Sequence, residues 1–385
     1  MVQNPVRSSS PVARPLYTPF DGPVNTLYAE LTERTRADHE LLPGTPGSLG
    51  LRSRGKSGSY WYRRYYNLPS QLAEKLVCRE DDAAAYEQMS QRIEASRWVE
   101  GQVGTLRKLG FQAAGKDAAR VLVEMHNKGL FAAGLVLVGT LAFMAWLNEL
   151  GIRSATSSTQ DIDLARRQAP ESTKGRSRVD SPPRGAADVC RRPGGPLTLA
   201  VTVPLLETLK ATDMAFFEVP GLRPDAPATS AKRPGNEGLR VDLLTSGSQL
   251  GQIVPVPELG WHAQTVPHFD YLLHDHQPAA MLAGGHCIPV QLPEALRMAW
   301  HKLFSSTRRT ADRAKAEKDL RQAAVLLAAL VERDAADLAP SLAQAPVEVR
   351  KAVRRRWPAL QALLAAHPQA RDEVRHALGR LGEPV

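Results

Sequence analysis

The segment that most narrows what this chain can become runs from Leu135 to Ala165. LVLV at Leu135–Val138 is a short unbroken apolar run, and Gly139-Thr140 follows at once. Leu141, Met144, Ala145 and Asn148 then recur at helical spacing until Gly151. After a polar stretch, SATSSTQ, a second short strand, DIDLA, begins at Asp161. A strand, a glycine, a helix and a further strand in close succession predict a sheet covered by one layer of helices.

The flanking sequence extends this into an α+β chain. Residues 1–50 read as a disordered tail, because the opening MVQNPVRSSSPVARP is rich in Pro and Ser and poor in large apolar groups. Residues 51–130 read as an N-terminal strand and helical region. Ser59–Asn67 (SYWYRRYYN) is aromatic and bounded by GKSG and NLPS, which suits a strand, in a hairpin at most. From Gln71 to Phe131 the pattern turns helical, most clearly at Lys116–Lys128, with Ala119, Val121, Leu122 and Met125 on one stripe. Residues 131–292 form the core domain, with a flexible Pro-, Gly-, Arg- and Ser-rich insertion at 168–196. A helix at Val203–Thr212, a strand at Phe216–Val219, a loop at Pro220–Gly238 and strands at Leu239–Leu244 and Ile288–Leu292 complete it. Residues 293–385 read as a helical domain. Leu296, Ala299, Trp300 and Leu303 make one stripe; Ala316, Leu320, Ala323, Ala324, Leu327 and Val331 make another.

Composition excludes several classes. No apolar run reaches the ~20 residues of a membrane-spanning helix, and the opening residues lack a secretory apolar core. Cys78, Cys190 and Cys287 are odd in number and widely separated, so neither a disulfide framework nor a zinc pattern is present and a reducing cytoplasm fits. The net charge of +9 favours a polyanionic partner such as RNA without requiring one.

Chemistry concentrates on three aspartates. Asp161 and Asp163 are two residues apart on a strand, so both carboxylates share a face while Ile162 enters the core. Two like charges that close repel, and a divalent cation with oxygen preference, such as Mg2+, relieves the repulsion while holding triphosphate oxygens. Asp242 is the one carboxylate in the apolar strand LRVDLL, and a neighbouring strand would carry it to the same face. Gly139 lets a ligand approach the backbone, and Thr140 is expected at the cap of the following helix, whose free amides receive phosphate. Each feature alone has a plain reading: a solvated strand end, an ordinary cap, a salt-bridged acid. Their joint order favours in-line attack at phosphorus assisted by one or two metal ions.

That order resembles the polymerase-β-like nucleotidyltransferases, whose pattern is a Gly-Ser or Gly-Thr turn, a D-x-D and a later strand-borne Asp. LVLVGTLAF, NELGI, TQDIDLA, LRVDLLT, AWHKLFSS, KAEKDLRQA and the upstream SGSYWYRRYYN are similar to a bacterial branch of that superfamily, related to the abortive-infection type, over roughly residues 50 to 330. The resemblance implies a mixed sheet with helices, and Asp161, Asp163 and Asp242 as catalytic ligands of Mg2+, with Mn2+ as an alternative. It implies Gly139 and Thr140 as phosphate contacts. It also implies transfer of a nucleoside monophosphate from an NTP to an acceptor with release of pyrophosphate, in a toxin–antitoxin or phage-defence setting. RNA, tRNA included, is the acceptor the basic charge favours; a protein or a small molecule are alternatives, as is a catalytically silent nucleic-acid-binding or regulatory module on the same fold. Two departures stand out. The interval from Gly139 to Asp161 is long, implying an extended loop before the D-x-D, and the stretch after Asn67 is short for this branch's aromatic hairpin.

Three weaker candidates remain. Arg297 to Arg321 carries eight basic residues against three acidic ones, which suits either a solvated face or a ligand site. By resemblance, Lys302, Lys318 and Arg309 would bind nucleotide, with Lys318-Asp319 facing the active cleft. His262, His268, His274, His276 and His286 match no zinc spacing. Tyr60–Tyr66, with Arg63 and Arg64, suits a packed strand or a surface on which bases stack.

Overall fold

The computed structural model describes residues 14–36, 40–155, 161–167, 203–221, 226–235, 237–334 and 336–382. The expected insertion at 168–196, and 156–160 of the loop before Asp161, lie outside the described residues.

The chain opens with a two-residue strand β1 (Thr18–Pro19) and helix α1 (Gly22–Arg36). Three strands follow, β2 (Ser48–Ser53), β3 (Ser59–Leu68) and β4 (Gln71–Arg79), then helices α2 (Ala83–Leu109) and α3 (Lys116–Asn127). Next come β5 (Leu135–Val138), α4 (Gly139–Glu149), β6 (Ile152–Arg153), β7 (Asp161–Arg166) and α5 (Leu205–Lys210). Beyond these lie β8 (Phe217–Glu218), β9 (Ser230–Lys232), β10 (Arg240–Ser246), β11 (Ile253–Val256), β12 (Trp261–Val266), α6 (Phe269–Leu272), β13 (His276–Ala283) and β14 (His286–Pro293). Five helices close the chain: α7 (Ala295–Arg308), α8 (Arg313–Asp334), α9 (Leu338–Gln344), α10 (Val347–Leu363) and α11 (Pro368–Gly379).

The chain divides into two compact units. The mixed unit, Phe20–Gly151 with Thr156–Ala295, is built on a sheet ordered β11-β12-β10-β7-β5, with β8 and β9 branching from β10. β7 and β12 run parallel to β10, whereas β5, β9 and β11 run antiparallel to their neighbours. All four residues of β5 are buried, as a continuous apolar run requires. In α4, Thr140–Asn148 are buried throughout rather than along one stripe. A helix apolar on every side belongs between layers, and α4 packs on β7 and β5 as well as on the separate β13–β14 hairpin. Its one buried amide side chain is satisfied: Asn148 accepts from Gln112 N and donates to Gln112 O, both at 2.8 Å.

Two expectations for the N-terminal part are corrected. Residues 1–50 are not all tail: α1 buries Tyr28, Leu31, Thr32 and Thr35. It shares a core cluster with Phe20, Val103, Leu106, Phe111, Ala280, Leu282 and Cys287. Phe20 stacks on Phe111 with ring centroids 4.1 Å apart. Phe20, Val24, Leu27, Tyr28 and Leu31 carry enough helix-spaced apolar surface to offset the ordering entropy, despite the Pro- and Ser-rich residues before them. Gln71–Arg79, expected to be helical, is a strand, so the stretch after Asn67 is a full β3–β4 hairpin. Its residues are good helix formers, but Pro69 and the left-handed Ser70 (φ 64°) turn the chain back, and pairing from Tyr66↔Leu72 to Tyr60↔Arg79 overrides that propensity.

The helical unit comprises, among the described residues, 14–19, Ile152–Ala155, 296–334 and 336–382. Its centre is α8, buried without a break from Gln322 to Val331. The N-terminal strand is anchored here. β1 pairs with β6, Leu16 N donates to His367 Nε2 at 2.9 Å, and Tyr17 Oη donates to Glu332 at 2.7 Å.

Candidate active site

β10 and β7 pair in parallel over six residues, from Arg240 beside Asp161 to Thr245 beside Arg166. Paired residues of adjacent strands share a face about 4.8 Å apart. Asp242 therefore stands next to Asp163, with Asp161 two residues back on the same face. The alternates Ile162, Leu164, Val241 and Leu243 are buried on the opposite face. A slip of one residue would exchange the two sets and bury the acids, so apolar burial itself fixes the carboxylates together. Thr245 Oγ1 donates to Arg166 O at 2.6 Å, and Arg166 pairs with Glu258 at 2.7 Å, which holds the far end of β7.

On the other side of β7, Val138 pairs with Asp163 and the chain turns directly into α4. Gly139 has a left-handed φ of 69°, and an added Cβ would overlap Asp163 Oδ2 and lie 2.8 Å from its Cγ. Only glycine meets both demands. The Asp163 carboxylate thus lies against the start of α4, where the helix dipole favours negative charge. Thr140, expected at the cap, is instead the second residue of the helix and is buried; Val138 is the capping residue.

Two residues not singled out from sequence join this face. Asp242 Oδ1 accepts from Arg240 Nε at 2.8 Å and from Ser230 Oγ, and Arg240 Nη2 donates to Ser230 Oγ at 2.8 Å. Arg240 was legible, lying two residues before Asp242 on a strand; Ser230 comes through β9 pairing, which sequence spacing does not reveal. The Asp242 side chain is 21% exposed, so a ligand can reach it. Among the described residues no three His, Cys, Asp or Glu side chains are gathered as a metal-holding group. As it stands, the Asp242 carboxylate is engaged by Arg240 and Ser230.

The expected basic contacts lie in the helical unit. Lys302 is buried on α7, its Nζ 3.3 Å from Asp319 Oδ1, and Arg309 Nε is 2.8 Å from Asp319 Oδ2. Lys318 is half-buried on α8. The five histidines are dispersed. His274 pairs with Asp275, His276 meets Gln291, His286 Nε2 meets Leu42 O, His262 is on β12 and His268 precedes α6. In the aromatic strand, Tyr62, Arg63 and Tyr65 are buried. Arg63 donates to the carbonyls of Pro43, Thr45 and Pro46 at 2.8, 2.6 and 3.0 Å, so it holds a loop and is not offered to a nucleobase. The mixed unit also has a cleft of about 510 Å³ lined in part by Asn67, Glu100, Lys116, Arg120 and His286; none of the five residues of the acid face lines it.

The mixed sheet carries two parallel acid-bearing strands beside a buried helix that starts at a glycine. A family model described as Nucleotidyltransferase matches residues 116–186 and 187–346, more than half of the chain, and the chain belongs to that family. Membership makes it an NTP-dependent transferase, of a kind that is typically metal-dependent. No curated protein and no solved structure matches it. No helix among the described residues is long and apolar enough to cross a membrane.

Proposed function

We propose that this chain moves a nucleoside monophosphate from an NTP to an acceptor, releasing pyrophosphate, with Asp161, Asp163 and Asp242 as the ligands of Mg2+ or Mn2+. The observation that carries the reading is the pairing of Asp163 with Asp242 in the β7–β10 ladder, with Asp161 on the same face. Three carboxylates are the hard oxygen donors such an ion takes. When bound, the ion supplies charge neutralisation at the triphosphate and at the attacking oxygen. Asp163, pressed against Gly139, is the fixed member of the set. Asp242 joins it by turning its carboxylate away from Arg240, which releases a guanidinium suited to a phosphate oxygen. Gly139 and Thr140, at the start of α4, are the proposed phosphate contacts. On resemblance, Lys302, Lys318 and Arg309 are proposed to bind nucleotide. RNA, with tRNA among the candidates, is the acceptor we favour from the charge. Incubating the pure protein with each labelled NTP, Mg2+ and total RNA tests the reading: label should enter an acceptor with one or more NTPs. No transfer to RNA, to protein or to the chain itself would refute it.

The Arg240–Asp242 contact favours one second reading, a silent regulatory module in which the third acid is permanently engaged. Mg2+ binding to the pure protein, lost on Asp242→Asn, would exclude it.

A further inference from the structure

The excess positive charge of this chain is not evenly spread. Leu296–Val385 holds 17 Lys and Arg against ten Asp and Glu, which leaves 32 against 30 in everything before it. Within that region α10 is the most biased element, with Arg350, Lys351, Arg354, Arg355 and Arg356 against the single acid Glu348. Glu348 is already paired with Lys351 at 3.2 Å. Arg356 Nη2 donates to Ser306 O, and Arg350 Nη1 donates to Ala343 O at 2.8 Å, so the bonds these two make are to carbonyl oxygens rather than carboxylates. The Ser306 contact brings α10 to the C-terminal end of α7, where Arg308 and Arg309 lie. Arg308 and Arg355 are exposed and carry no ion-pair partner among the described residues. Asp319 is the acid bound at that end, and Lys302 and Arg309 already share it.

Cations left together without carboxylates repel one another, and a polyanion offers the compensating charge. We propose that the end of α7 and the adjoining face of α10 form a docking surface for the phosphate backbone of a nucleic-acid strand. Arg308 and Arg355 are the contacts that reach phosphate oxygens, since arginine presents a planar fork matched to them. The surface deepens the proposed function by naming the chemical class of acceptor, and it rests on that reading only for the step after docking.

Docking is measured without NTP and with EDTA, so the outcome is independent of transfer. A fluorescent RNA hairpin with a single-stranded 3′ tail is titrated with the full chain at several KCl concentrations, and the slope of log Kd against log [KCl] is read. Arg308→Ala and Arg355→Ala should each reduce the slope by about one unit and weaken binding at low salt, and Arg355→Glu should weaken it further. Lys75→Ala, on exposed β4, should leave the slope unchanged. Both arginines are exposed, so unchanged thermal melting should accompany the loss. No salt-dependent RNA binding, equal slopes for wild type and both alanine variants, or an equal loss in Lys75→Ala would overturn the proposal. So would arginine-dependent binding to anionic phosphatidylserine vesicles in place of RNA.

Discussion

Gly139→Ala is the sharpest single perturbation the fold offers. At φ 69° a side chain costs about 1–2 kcal/mol in backbone strain alone. The new Cβ would also overlap Asp163 Oδ2, so either α4 shifts or the carboxylate leaves its place. α4 is buried on every side, so the carboxylate is the element free to move. The two costs separate in a double-mutant cycle with Asp163→Ala. Alone, Gly139→Ala should destabilise by roughly 2–4 kcal/mol, the strain plus a displacement of similar size. In the Asp163→Ala background the carboxylate is gone and only the residue's Cβ, 3.0 Å away, still crowds the new methyl, so little more than the ~1–2 kcal/mol of strain should remain. Urea denaturation gives the four stabilities, and NTP turnover measured in parallel should fall at least a hundredfold in the single variant, on the order of what a misplaced site residue costs. An identical stability cost in both backgrounds would show that Gly139 and Asp163 are not in contact. Normal turnover in Gly139→Ala would show that the contact does not matter to the chemistry.

Other consequences follow from named pairs. Arg240→Ala leaves Asp242 held by Ser230 alone, so the Mg2+ concentration giving half-maximal turnover should fall; an unchanged Mg2+ requirement would mean the arginine contact does not compete with the ion. The Lys302 and Asp319 side chains are 9% and 10% exposed and Arg309 also pairs with Asp319, so Lys302→Ala should lower stability by about 1–3 kcal/mol and raise the KM for NTP, whereas Lys318→Ala should raise the KM with little change in melting. An unchanged KM in both variants would remove the two lysines from the nucleotide site. Burial pushes the Cys287 thiol up to about 12 and the Tyr28 phenol well above its ordinary value. Both groups ionise more readily in the unfolded chain, so stability should fall as pH rises from about 9 toward 12, and Cys287→Ala should make that fall shallower. A variant with the same alkaline slope would remove Cys287 from the account.

The acid face was legible because two simple rules agree there. Strand alternation sets Asp161 with Asp163, and an isolated Asp242 among Val241, Leu243 and Leu244 makes sense only beside a partner strand. Elements whose local signal opposed their tertiary setting were not legible. Gln71–Arg79 is composed of helix formers and becomes a strand because Ser59–Leu68 is there to pair with it. Tyr28 and Leu31 look like parts of a polar tail until Val103, Leu106 and Leu282 supply the surface that buries them. The same holds for charge. Lys302 reads as an available cation in sequence, but Asp319, seventeen residues on, reaches it only when α7 and α8 pack. Ser230 is likewise an unremarkable loop-edge residue until β9 sets it opposite Asp242.

The proposed function stands or falls with Asp161, Asp163 and Asp242 acting as one metal-holding set. Asp161→Asn combined with Asp163→Asn removes two ligands and relieves the repulsion between them, so the fold should survive with an unchanged or slightly higher melting temperature. With Mg2+, labelled NTP and an acceptor that wild type modifies, the double variant should show no detectable transfer. A folded double variant that transfers at a rate near that of wild type would rule out the three-acid site.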